Sequence, residues 1–209
     1  GISEAGAILR SGGLVAFPTE TVYGLGANAL DATATKHIYE AKGRPSDNPM
    51  IVHVASIEML NGVASGVTDA QKAIMSKLWP GPITFVLRKN PAVPDVTTGG
   101  LDTVAVRWPS RREAAEIIEA AGVPIAAPSA NLSGKPSPTT FEDVAEDMDG
   151  RIDAIVKGER TAIGIESTVL DLTAEVPTIL RPGFITKSQI EEAVDGEVQY
   201  DPSLFKKPG

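Results

Sequence analysis

The chain has 209 residues, 42% hydrophobic and 22% charged, with a net charge of −8. That is the composition of a folded domain large enough to bury a core without disulfide or metal staples. The absence of cysteine and the presence of only two histidines exclude a disulfide framework, a thiolate nucleophile and a zinc–sulfur site, and leave a histidine metal site or a Ser-His-Asp triad poorly supported. The acidic balance opposes a broad nucleic-acid footprint, the apolar runs are too short to span a bilayer, and no leader pattern is visible; a cytoplasmic setting without membrane contact is expected.

In chain order, residues 3–10 read as an amphipathic helix capped by Ser3 and ended by Gly12-Gly13. A buried strand follows at 14–17. Asp31 caps a helix that runs to about Ala41 and stops at Gly43. Residues 50–55 form a strand. Thr68 opens the helix "TDAQKAIMSKLW", which Pro80-Gly81-Pro82 halts. Strands are expected at 83–89 and 103–108. Ser110 caps "RREAAEIIEAAG", closed by Gly122. "VPIAAPSANLSG" is a strand entering a loop, and Thr140 starts a helix to about Met148. Further strands fall near 154–157, 167–172 and 177–181, and a last helix spans about 187–194. Strands alternating with helices of about ten residues define an α/β architecture, with antiparallel or mixed pairing where strands cluster after residue 154. One domain is expected over residues 1–195. Residues 196–209, ending "LFKKPG", read as a tail or the start of an interdomain linker.

Four segments share a short apolar strand followed by a loop rich in hydroxyls, amides, Gly and Pro: "PTETVYGLG" (18–26), "KGRPSDNP" (42–49), "PSANLSGKPSPTT" (128–140) and "GIESTV" (164–169). In α/β sheets, ligands bind where strand ends meet such loops. Lys42 and Arg44 concentrate positive charge suited to phosphate or carboxylate, although the same pair suits a solvated helix C-terminus. The 128–140 segment offers anion or ribose donors, but lacks the spacing of a phosphate loop and equally fits a Pro-rich loop with a helix cap. "FPTETVYGLGANAL" is open to three readings: hairpin turn, phosphate loop, or pocket wall. Arg181 in "ILRPG" is a phosphate ligand or a surface arginine, and spacing does not separate the two. His53, inside an apolar strand, reads first as a core residue. Together these residues describe a polar pocket with strong anion donors and no protein nucleophile, suited to catalysis by positioning and charge stabilisation.

The four segments in this order, with "LWPGPITFVL", "VAVRWP" and "ILRPGFIT", resemble the YrdC-like family, in its branch that forms threonylcarbamoyl-AMP. The resemblance covers about residues 4–194. It implies a twisted, mixed β-sheet flanked by helices around a large concave cavity. It implies a nucleotidyltransferase joining L-threonine, bicarbonate or CO2 and ATP, with Mg²⁺ accompanying the ATP and pyrophosphate leaving. It also implies a downstream tRNA threonylcarbamoyl transferase complex as partner, with at most a weak tRNA contact of its own. Carried over position by position, it places Lys42 and Arg44 on the phosphates and carbamate. Arg44, Asn48, Thr103, Ser129, Asn131, Ser137 and Arg181 fall to ATP. Thr21, His53, Arg107, Ala127 and Ser167 fall to threonine. No dedicated protein metal site is implied. Two places depart from the family pattern. Ser110-Arg111-Arg112 stand where many relatives carry a His, and Lys157-Gly158-Glu159 stand where Asp-Gly-Gly is common.

Overall fold

Asp31 accepts hydrogen bonds from the amides of Thr33 and Ala34, and Gly43 closes the same helix in the left-handed conformation (φ 73°). Side-chain cap and glycine stop together fix helix α2 at Ala32–Lys42. The computed structural model in which this is seen describes residues 1–43 and 48–205. Arg44, assigned above to the phosphates, lies outside the described residues.

The chain opens with α1 (Ile2–Arg10) and a hairpin of β1 (Val15–Pro18) and β2 (Tyr23–Asn28). After α2 come β3 (Ile51–His53), α3 (Ile57–Val63) and α4 (Asp69–Leu78). Then follow β4 (Ile83–Arg88), α5 (Asp95–Thr98), β5 (Thr103–Arg107), α6 (Arg112–Ala121) and β6 (Ile125–Ala126). The remaining elements are α7 (Phe141–Met148), β7 (Ala154–Ile155), β8 (Thr168–Asp171), β9 (Thr178–Arg181), α8 (Lys187–Val194), β10 (Gln199–Tyr200) and a 3-10 helix (Pro202–Phe205). The strands form one mixed sheet in the order β10-β9-β8-β4-β5-β3-β6-β2-β1-β7. No helix among the described residues is long and apolar enough to cross a membrane.

Side-chain alternation divides the core. Val15 and Phe17 of β1 and Ile125 of β6 pack with Leu9 of α1 and Ile117 and Ile118 of α6. Their neighbours Ala16 and Ala126 join a larger cluster with Val52, Ile38, Met75, Val144 and Ile190. The sheet is thus covered by helices, and the expected α/β class and mixed pairing hold.

Several local expectations need correction. Ser3 is not a cap: α1 starts at Ile2 behind Gly1, without a side-chain cap bond. Ser110 is not the cap of α6 either, because Arg111 holds that position and the Ser110 hydroxyl donates to Glu20 instead. β2 runs through a glycine-rich stretch that propensity disfavours. A Cβ on Gly26 would stand 2.7 Å from Phe17 Cε1 and 2.9 Å from Ile125 Cγ2, and one on Gly24 3.2 Å from the Ala127 Cβ; the strand needs glycine there because its neighbours lie so close. Helices α3 and α5, seven and four residues long, show too little periodicity to stand out. Beyond residue 195 the chain does not leave the fold at once: β10 pairs in parallel with β9, Gln199 opposite Thr178.

Candidate active site

Register builds the site. Arg107 at the end of β5 lies opposite His53 on β3 and opposite Thr84 on β4. Directly opposed residues share a sheet face, so Thr84, Arg107 and His53 form a row of three buried polar side chains. The β1–β2 turn closes over one side of this row. Thr19 shapes that turn: its hydroxyl donates to the Val22 carbonyl at 2.7 Å and accepts from the Thr21 and Val22 amides. The turn is held from behind by the amides of Ile163 and Gly164, which donate to the carbonyls of Glu20 and Thr21. On the other side, Ser167 at the entry to β8 shares a 2.7 Å hydrogen bond with Thr84.

The result is a cavity whose walls include Thr21, His53, Arg107, Ser129, Ser167 and Arg181. Ala127 contributes as well. Seven of the residues named from the sequence therefore converge. Two guanidiniums dominate the electrostatics. Arg107 is 4% exposed and paired with Glu20; its Nη1 donates to Thr21 Oγ1 at 2.8 Å and its Nε to the Gly81 carbonyl at 3.4 Å. The second Glu20 oxygen accepts from the Ser110 amide (2.8 Å) and hydroxyl (2.6 Å). Burial works against the Arg107 charge and lowers its pKa, while Glu20 offsets that loss. Arg181 donates to the Ser167 carbonyl and hydroxyl and to Glu166 at 3.0 Å.

His53 is buried, and desolvation followed by the Arg107 charge lowers its pKa to about 3. The imidazole is therefore neutral at physiological pH. Its Nδ1 has no hydrogen-bond partner among the described residues. An unpaired buried nitrogen costs free energy; the His53 side chain is also part of the cavity wall. The Phe17 and His53 rings meet nearly at right angles, with centroids 6.5 Å apart.

The remaining assigned residues are spread more widely. Lys42, buried at the end of α2, donates through Nζ to the Ser129 carbonyl and, at 3.5 Å, to Asn131 Oδ1. That places the ammonium against the segment where Ser129 bridges Gly24. Asn131 spends its amide on the carbonyls of Leu132 and Lys135 and so holds the following loop. Asn48 is exposed, its carbonyl accepting from the Tyr39 hydroxyl. Thr103 and Ser137 are likewise outside the cavity lining. Thr103 sits opposite Arg88 at the far end of β5, four residues from Arg107 and thus about 13 Å away along the strand. Ser137 lines a separate surface depression with Lys135, Asp143 and Asp147.

Sequence reasoning gave no role to Glu20 or Glu166, the partners of the two arginines. For Glu20 a signal existed: a carboxylate flanked by two threonines immediately after a fully apolar strand is bound to be buried, and a buried carboxylate needs a cation.

A mixed, helix-covered sheet whose strand ends carry two arginines, a neutral histidine and a ring of hydroxyls defines an α/β domain built to hold small anionic ligands. The family model Sua5/YciO/YrdC, described as telomere recombination, matches residues 7–183, and the chain belongs to that family. It is 54% identical over 206 residues to the threonylcarbamoyl-AMP synthase of Pyrococcus abyssi, covering 99% of this chain and 60% of that one. It is likewise 54% identical over 204 residues to the Bacillus subtilis threonylcarbamoyl-AMP synthase, covering 97% of this chain and 59% of the relative. Among solved structures, P. abyssi Sua5 complexed with L-threonine superposes with a TM-score of 0.95 at 53% identity, covering all of this chain and 61% of that one. The chain thus spans about 60% of the length of these relatives.

Proposed function

We propose that this domain catalyses formation of threonylcarbamoyl-AMP and pyrophosphate from L-threonine, bicarbonate or CO2, and ATP. The observation that carries the reading is the cavity in which Arg107, Thr21, His53 and Ser167 meet. The relatives named above support it.

In this reading the guanidinium of Arg107, fixed by Glu20 and Thr21, receives the threonine carboxylate; an arginine fork suits a carboxylate geometrically. The neutral His53 and the hydroxyls of Thr21 and Ser167 receive the polar groups of the amino acid. The threonine amine adds to CO2, forming the N–C bond of a carbamate and releasing a proton. A carbamate oxygen then attacks the α-phosphorus of ATP, the bond to the β-phosphate oxygen breaks, and pyrophosphate leaves. The nucleophile comes from substrate, so no serine or cysteine need be activated. The protein's task is to hold anions close together against their repulsion, and Lys42, Arg181 and Arg44 supply positive charge for that purpose.

Magnesium belongs to this scheme as the companion of the triphosphate. The described residues include no cluster of three or more His, Asp or Glu that could cage an ion, and Glu20 is already committed to Arg107 and Ser110. That donor set fits an ion carried on phosphate oxygens and water, as Mg²⁺ commonly is. When bound, it would neutralise charge on the leaving pyrophosphate. The product, a reactive mixed anhydride, calls for an acceptor enzyme downstream, which we take to be the complex that modifies adenosine beside the tRNA anticodon.

The test is pyrophosphate release by the purified domain with Mg-ATP and bicarbonate. Release that requires threonine is expected. Release indifferent to threonine, or none at all, rejects the assignment.

A further inference from the structure

The two arginines of the cavity are balanced by carboxylates in different ways. Glu20 is locked: one oxygen faces Arg107 and the other takes two hydrogen bonds from Ser110. Among the described residues the Glu166 carboxylate makes one hydrogen bond, its Oε2 accepting from Arg181 Nη1 at 3.0 Å, with Arg181 36% and Glu166 43% exposed. No other hydrogen bond to the Glu166 carboxylate is present among the described residues. Arg181 does not depend on it for position, because its Nε and Nη2 are already fixed by the carbonyl and hydroxyl of Ser167 at 2.9 and 3.2 Å. Ser167 is in turn held by Thr84.

We propose that Glu166 is an exchangeable internal counter-anion, occupying the outward edge of Arg181 until a phosphate group of the nucleotide displaces it, and thereby setting nucleotide affinity. The inference rests on the reading of this cavity as a site for threonine and ATP. Three features support displacement over a structural role. The contact is single and half-exposed, so little is lost on breaking it. Glu166 follows Gly164, which sits at φ 77°, in a short loop between the turn contact at Gly164 and the start of β8. The remaining Arg181 bonds keep the guanidinium aimed at the cavity after the carboxylate leaves. Arg107 has no such edge to offer a polyphosphate, because breaking its pair strands a buried charge. The two arginines are therefore divided by their partners: Arg107 serves one fixed ligand group, and Arg181 serves an incoming anion that competes with the protein's own carboxylate.

The test is calorimetric titration of the domain and its Glu166→Gln variant with inorganic pyrophosphate, with a non-hydrolysable ATP analogue and with threonine, each with and without Mg²⁺. Glu166→Gln is expected to tighten pyrophosphate and the nucleotide by about 2- to 5-fold, the range of a half-exposed ion pair, in both the presence and absence of Mg²⁺. Threonine affinity is expected to stay unchanged. In an Arg181→Met background the same substitution is expected to change nothing. Unchanged or weaker binding of pyrophosphate and nucleotide overturns the proposal, and weakening confined to the Mg²⁺ titrations would assign Glu166 to the ion instead. Tighter pyrophosphate binding without threonine-dependent turnover leaves the counter-anion standing and removes the assigned reaction. Normal turnover with no change on Glu166→Gln does the reverse.

Discussion

Arg107 and Thr21, 86 residues apart in sequence, are joined by a 2.8 Å hydrogen bond from the guanidinium Nη1 to the threonine hydroxyl. The bond ties the β1–β2 turn to the end of β5 and fixes the direction in which the guanidinium faces the cavity. A Thr21→Val variant keeps the side-chain shape and removes the acceptor. Hydrogen bonds to charged groups contribute about 1.5–3 kcal/mol, so L-threonine affinity is expected to fall roughly tenfold to a hundredfold. Calorimetry with threonine alone measures it, and retained affinity would dismiss Thr21 as a determinant.

The two carboxylates should differ sharply in their weight for folding. Removing Glu20 leaves the buried Arg107 charge without its partner, and breaking such a pair costs about 3–5 kcal/mol. Glu166 and Arg181 are each more than a third exposed, so solvent screens them and Glu166→Ala should cost about 1 kcal/mol or less. Denaturant unfolding of the two variants side by side decides this. Equal losses would contradict the distinction between a locked and an exchangeable carboxylate.

His53 makes stability depend on pH with a definite sign. Its folded-state pKa is about 3 against about 6.5 in an unfolded chain. Between those values the unfolded chain holds the extra proton, so stability is full above about pH 6.5 and falls as pH drops toward 3, by at most about 1.4 kcal/mol per pH unit. Carboxylates with depressed pKa values act in the same direction, so the wild-type slope alone is ambiguous. The difference between wild type and His53→Gln isolates the histidine. A pH-independent difference between pH 4 and 7 would show that His53 is not held neutral by burial.

Lys42 is expected to act on the chemical step more than on threonine capture. Its Nζ donates to the Ser129 carbonyl, whereas Thr21 is bonded to Arg107. Lys42→Ala should lower the rate of pyrophosphate release about 10²- to 10³-fold, the size of one lost oxyanion donor. Threonine affinity should stay within a few-fold. Loss of threonine binding with turnover otherwise intact would assign the ammonium to the wrong substrate.

The legible parts of this chain were those with local causes. Asp31, Thr68 and Thr140 cap their helices as expected because a cap needs only residues two or three positions away. Ser110 misled for the same reason: it has the right type and position for a cap, yet a carboxylate 90 residues upstream takes its hydroxyl. β2 escaped notice because Gly24 and Gly26 lower strand propensity, and the close approach of Phe17, Ile125 and Ala127 that requires them is visible only in three dimensions. The cavity was legible as four polar segments beside strand ends. Which of their residues face inward was not, because register decides it: the pairing of β5 with β3 and β4 brings Arg107 beside His53 and Thr84 and leaves Thr103 at the opposite end. Ser137 belongs to the same loop as Ser129, but it lines a depression with Lys135, Asp143 and Asp147 and not the cavity.

The sheet borders carry a consequence of a different kind. The outermost strands, β7 and β10, are two residues long each, whereas the six-residue strands β2 and β4 lie between partners. A border strand displays unpaired amides and carbonyls, and a long, flat one invites another chain to continue the sheet. Here the long ladders are enclosed, and each border shows a neighbouring molecule a row too short to copy. Ten strands in one layer can therefore coexist with resistance to edge-to-edge aggregation.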